Sequence, residues 1–122
     1  MRIFKNQWIS KYAYKQHIAD EDLIAAVHRA EQGLIDADLG GGVIKQRIAR
    51  KGQGKSGGYR SIILLKKNDK AFFVYAFGKN ERDNITEEEL RYFRNLAEDL
   101  FHLDTEKLDV LLQIGKIQEL KQ

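Results

Sequence analysis

No cysteine occurs in this sequence, so no disulfide can hold the chain together, and its composition suits a reducing compartment. Long hydrophobic runs are missing too. Nothing approaches the roughly 18 to 20 apolar residues that cross a membrane. The opening stretch MRIFKNQWIS has no apolar segment of the secretory-signal kind. A cytoplasmic chain without a membrane partner is the expectation. No group of His, Cys, Asp and Glu has metal-ligand spacing, and no cofactor is expected. His17, His28 and His102 fall on expected helices or their edges, as surface or packing residues. No Ser-His-Asp arrangement is suggested. At 122 residues the chain forms one domain, residues 1–122. Such a length buries about two-thirds of the surface exposed when unfolded.

Acids are scarce where bases are dense. From Val43 to Arg82 there are eleven Lys and Arg residues against Asp69 and Glu81, a net charge of +9. The remaining residues carry ten bases and sixteen acids, a net −6. A paired-carboxylate site has almost no acids to use in this stretch. An anionic partner for the middle of the chain is the functional reading, and a solvated basic surface is the bland one.

The pattern predicts a first strand over Met1 to Lys5. Asn6 caps a short helix carrying Trp8, Tyr12 and Ile18 inward. Asp20 caps a second helix with Leu23, Val27, Ala30 and Leu34 at helical spacing, and Gly33 stops it. DADLGGG, residues 36–42, reads as a turn or loop. Val43 to Ala49 alternates as a strand, with Lys45 and Arg47 on one face and Ile44, Gln46 and Ile48 on the other. YRSIILLKK is a strand, Asn68-Asp69 a tight turn and KAFFVYAFGK the hairpin partner. Both are apolar on both faces, so chain must cover both sides of the sheet. Thr86-Glu87-Glu88-Glu89 is a capping box. It opens a helix with Leu90, Phe93, Ala97, Leu100 and Phe101 as its stripe. A last helix starts at Asp104 or Thr105, turns Leu108, Leu111 and Leu112 inward and ends near Gly115. The tail KIQELKQ extends it or frays. The order β-α-α-β-β-β-α-α is an α+β fold on a small, mostly antiparallel sheet, with N-terminal helices and a C-terminal helical extension.

Between the two central strands lies RKGQGKSGGYRS, Arg50 to Ser61, with four glycines, four cations and no acid. Its neighbourhood ARKGQGKS approximates a nucleotide-binding P-loop, with Ala49 in place of the first glycine. That loop works because a helix N-terminus cradles the phosphates. Here more glycines and a strand pattern follow, so a P-loop is rejected. As a connection between antiparallel strands, its glycines let the backbone approach a ligand. The alternative is an idle hairpin tip.

Antiparallel pairing would gather Lys45 and Arg47, Arg60 at the start of the next strand, and Lys79 and Arg82 just past the last. Clustered cations stabilise a phosphate whose negative charge grows in a transition state. Crowding of like charge eases proton loss from a lysine, so Lys45 can act as a base. That chemistry suffices to cleave RNA by attack of its own 2′-hydroxyl. Taken singly, each cation reads as an ordinary strand-edge residue.

GGVIKQRIARKGQGKSGGYRSII, followed by FFVYAFGKNERDNI, resembles the RelE/HigB family of bacterial type II toxin–antitoxin toxins. The likeness covers roughly Arg2 to Asn84 and is most specific from Gly41 to Ile85. It implies a compact microbial-RNase-type α+β domain that enters the ribosomal A site and cuts mRNA without a metal, inhibiting translation. It also implies an antitoxin, helix-turn-helix and HigA-like in the HigB branch. By the same resemblance Lys45 and Arg47 take the places of two catalytic lysines, and Arg60 that of the phosphate-binding arginine. Asn80 stands where a catalytic arginine is expected, with Lys79 and Arg82 beside it. A tyrosine is replaced near Thr86. Either Tyr59 or Tyr75 substitutes, another cation takes over, or activity is weak. Catalytic candidates are therefore Lys45, Arg47, Arg60, Lys79 and Arg82. Arg50, Lys51, Lys55 and Tyr59 are candidates for RNA contact. Rival readings are a toxin like ParE, which acts by binding DNA gyrase, and a non-catalytic basic RNA-binding module.

Overall fold

The computed structural model describes residues 1–50 and 54–122, and the side chains of Arg50 and residues 54–57 lie outside that description. In chain order the elements are β1 (Arg2–Asn6), α1 (Gln7–Gln16), α2 (Asp20–Glu31), β2 (Ala37–Gly40) and β3 (Val43–Arg50). They continue with β4 (Gly54–Lys66), β5 (Lys70–Gly78), α3 (Glu87–Phe101), α4 (Thr105–Gln113) and β6 (Ile117–Leu120). The strands form a six-stranded sheet in the order β2-β3-β4-β5-β1-β6. Only β1 and β5 pair in parallel; the other neighbours are antiparallel.

The central strands are apolar on both faces because both faces are covered. On one side α1 and α2 set Ile9, Leu23, Ala26 and Val27 against Ile3, Ile44, Ile48, Ile63 and Phe73. On the other, α3 and α4 set Phe93, Ala97 and Leu108 against Phe4, Val43, Ile62, Leu64 and Phe72. Thr86 accepts from the Glu89 amide and Glu89 from the Thr86 amide, the capping box expected from the sequence.

Four expectations give way. Residues 36–42 are not merely a loop, because Ala37–Gly40 pairs with β3. A clasp from α3 helps hold this short strand, since the Arg94 guanidinium donates to the Leu39 and Gly40 carbonyls. The turn that follows needs glycine: Gly42 has φ +85 and an added Cβ would lie 2.6 Å from the Phe101 ring. The tail neither extends a helix nor frays; it returns as β6, pairs with β1 and buries Ile117 and Leu120. Asp20 is not a cap but the first helical residue. Its carboxylate instead takes Lys5 Nζ at 2.8 Å, while the Asp22 carboxylate accepts from the Ala19 amide. Leu34 and Trp8 do not point inward either. Leu34 lies past the end of α2 and is exposed, and Trp8 is 42% exposed.

Candidate nucleic-acid interface

The register of three strands builds the site. Arg47 of β3 pairs with Arg60 of β4, which pairs with Phe77 of β5. In the next row Lys45 pairs with Ile62, which pairs with Tyr75. Residues opposite one another in a sheet share a face, so Lys45, Arg47, Arg60 and Tyr75 face the same way. That is the face on which α3 packs further along, through Phe93 and Ala97. The alternate residues Ile44, Gln46 and Ile48 point to the α2 side, as the alternation in Val43 to Ala49 predicts. Gln46 is fully buried there, donating to the Ala26 and Leu34 carbonyls and accepting from the Asp36 amide.

Arg47 is exposed, and Lys45 and Arg60 are half-buried. The Arg47 backbone is fixed from both sides: its amide donates to Asp36 Oδ2 at 2.7 Å and its carbonyl accepts from the Arg29 guanidinium at 2.5 Å. Lys45 Nζ donates to Asn84 Oδ1 at 3.3 Å. Arg60 makes a long contact of 3.5 Å to the Tyr59 carbonyl. Among the described residues no acid forms an ion pair with Lys45, Arg47, Arg60 or Lys79. Lys79 is exposed at the end of β5, its amide donating to the Gly58 carbonyl. Two arginines paired across one strand pair, with no ion-paired carboxylate among the described residues, can seat a phosphate.

Arg82 is engaged differently. Its guanidinium donates to both carboxylate oxygens of Glu89, at 2.6 and 3.1 Å, to the Tyr75 hydroxyl at 3.1 Å and to the Asn84 carbonyl at 2.9 Å. It also lies over the Tyr75 and Phe77 rings. These bonds, the one to Glu89 foremost, push its pKa up. Reciprocally, Arg82 and the Thr86 amide bring the Glu89 carboxyl down to about 2. The loop between β5 and α3 has a second bolt: Glu81 Oε1 accepts from the Gly78 amide and from the Tyr12 hydroxyl. Burial and then Glu81 push the Tyr12 phenol up.

Tyr59, expected against RNA, faces the other side of the sheet. It is 2% exposed and its hydroxyl donates to Gln16. The side chains of Arg50, Lys51 and Lys55 lie outside the described residues. The glycine-rich segment is not all loop, as the sequence suggested: from Gly54 it is already β4, antiparallel to β3, so no helix follows it and the P-loop stays rejected. Sequence reasoning missed Asn84 and Glu89 as neighbours of the cations. Glu89 was legible only as a helix-capping residue. Among the described residues no His, Asp and Glu group could hold a metal ion, and no helix is long and apolar enough to cross a membrane.

Comparison with curated proteins returns no match. Comparison with family models matches residues 1–120 to the RelE toxin of the RelE/RelB toxin–antitoxin system. That match spans nearly the whole chain and agrees with its α+β fold: the chain belongs to the RelE toxin family, the toxin half of a toxin–antitoxin system whose other half is a cognate antitoxin.

Proposed function

We propose that the protein is a metal-independent endoribonuclease that cleaves mRNA on the ribosome and so arrests translation. Arg60 holds the scissile phosphate and Arg47 offsets its growing negative charge. Lys45 takes the proton from the 2′-hydroxyl as that oxygen bonds to phosphorus and the bond to the 5′-oxygen breaks. A proton returns to the departing 5′-oxygen, leaving a cyclic phosphate and a free hydroxyl. Lys79 borders the seat, and Arg50, Lys51 and Lys55 grip the RNA backbone. The observation that carries this reading is the direct cross-strand pairing of Arg47 with Arg60, without an acid on either. The likeness to the HigB branch supports a helix-turn-helix antitoxin as partner, and cleavage of mRNA on the ribosome calls for a cytoplasmic location.

The test is Arg60→Ala, expressed without antitoxin. Loss of an electrostatic donor to a transition-state oxyanion lowers rate by about 10²–10³. New mRNA 5′ ends and growth arrest should therefore vanish while antitoxin binding persists. A folded Arg60→Ala protein as toxic as the parent removes the assignment. So does arrest that leaves mRNA intact and accumulates gyrase-cleaved DNA, the outcome expected of a toxin like ParE.

A further inference from the structure

Glu89 does more than cap a helix. One of its oxygens accepts from the Thr86 amide at 2.7 Å, and the same carboxylate takes Arg82 in a two-point grip. Arg82 then reaches two further groups that bear on the cationic seat. The first is the Tyr75 hydroxyl, which stands in the same cross-strand row as Lys45. The second is the backbone of Asn84, whose side-chain oxygen accepts from Lys45 and from the Ile85 amide. A phenol oxygen that accepts from a guanidinium keeps its own hydrogen free to donate. The Tyr75 ring is fixed as well, 4.6 Å from Trp8 and 6.2 Å from Phe93.

We propose that Glu89 is a positioning residue of the site: through Arg82 it aims the Tyr75 hydroxyl and fixes the Asn84 acceptor of Lys45. This inference deepens the nuclease reading and rests on it. The chain thereby supplies an aimed hydroxyl from the middle of β5.

The two roles of Glu89 separate by substitution. Glutamine at the third helical position still completes a capping box, but it cannot hold Arg82 as a charged, two-oxygen acceptor. Thr86→Ala weakens the cap and leaves the grip. With ribosome-bound mRNA in single-turnover cleavage, Glu89→Gln should lower the rate constant at least tenfold. Its affinity for the programmed ribosome should be unchanged, while its melting temperature at neutral pH falls with the lost Arg82 grip. Thr86→Ala should lower the melting temperature and leave the rate alone. Trp8 is the only tryptophan and abuts Tyr75, so its emission reports on the tyrosine without requiring activity. It should change in Glu89→Gln and not in Thr86→Ala.

Full activity and unaltered emission in Glu89→Gln would overturn the proposal. Equal losses of rate in the two variants would do the same, because a helix cap alone would then explain them. Failure of the nuclease reading looks different: Arg60→Ala would stay active while the emission of Glu89→Gln still changed, and that pattern overturns the assignment to catalysis.

Discussion

Gln46→Leu gives the most direct test of how the cationic strand is held. Gln46 lies between Lys45 and Arg47 but points the other way, into the core. It is fully buried and makes three hydrogen bonds, to the Ala26 carbonyl at 3.0 Å, the Leu34 carbonyl at 3.2 Å and the Asp36 amide at 2.7 Å. Leucine has a similar volume, so the change opens little cavity. The loss is the bonds, each worth about 1 kcal/mol net, plus part of the desolvation cost of whatever they leave unpaired. Residues 34 and 36 lie near solvent, where water takes over some of that role. Gln46→Leu should therefore cost about 3 kcal/mol. With a urea slope of about 2 kcal/mol/M, the unfolding midpoint falls by about 1.5 M. Gln46→Glu should be worse at neutral pH, because it aims a carboxylate oxygen at two carbonyls, and should recover partly as that carboxylate is protonated. Equilibrium urea unfolding followed by circular dichroism measures both. A leucine variant within about 0.5 kcal/mol of the parent, below the usual worth of even one such bond, would refute the reasoning.

Acid should act through the loop bolt. The folded Glu89 carboxyl sits near 2, below its ordinary 4.5, so it stabilises the fold above that ordinary value. The stabilisation fades as pH falls from about 5 toward 2. Stability measured across that range should decline less steeply in Glu89→Gln. Phe93→Ala empties the contact between α3 and the sheet where Phe93 is 7% exposed, at a cost of about 3–5 kcal/mol. Thermal unfolding should show it, and Trp8 emission should shift as Tyr75 loses the ring beside it.

Much of the architecture could be read from local pattern. Alternation in Val43 to Ala49 separated Lys45 and Arg47 from Gln46, and Thr86 with Glu89 marked a helix start. Asn68, with its left-handed φ of 64, makes the turn its type predicts. The missed strands have weak local signals. Ala37–Gly40 contains Asp and Gly, poor strand formers; it is a strand because β3 and Arg94 hold it. Ile117–Leu120 is four residues long and follows a helix, and only pairing with β1 makes it extended. At the site, strand periodicity located the cations, but it could not show which of them were engaged. Arg82 looked as available as Arg60. Its neutralisation depends on a loop folding back so that Glu89, seven residues on, meets it, and no period in the sequence encodes that turn.

The place of β1 in the sheet bears on how the chain is made. β1 is held on one side by β5 and on the other by β6, with Ile3 opposite Leu120. During synthesis that antiparallel neighbour does not exist until Leu120 has been added. Until then the hydrogen-bonding edge of β1 on that side has no strand of its own chain to meet. The sheet therefore stays one strand short until Ile117–Leu120 has been made, and closes only afterwards.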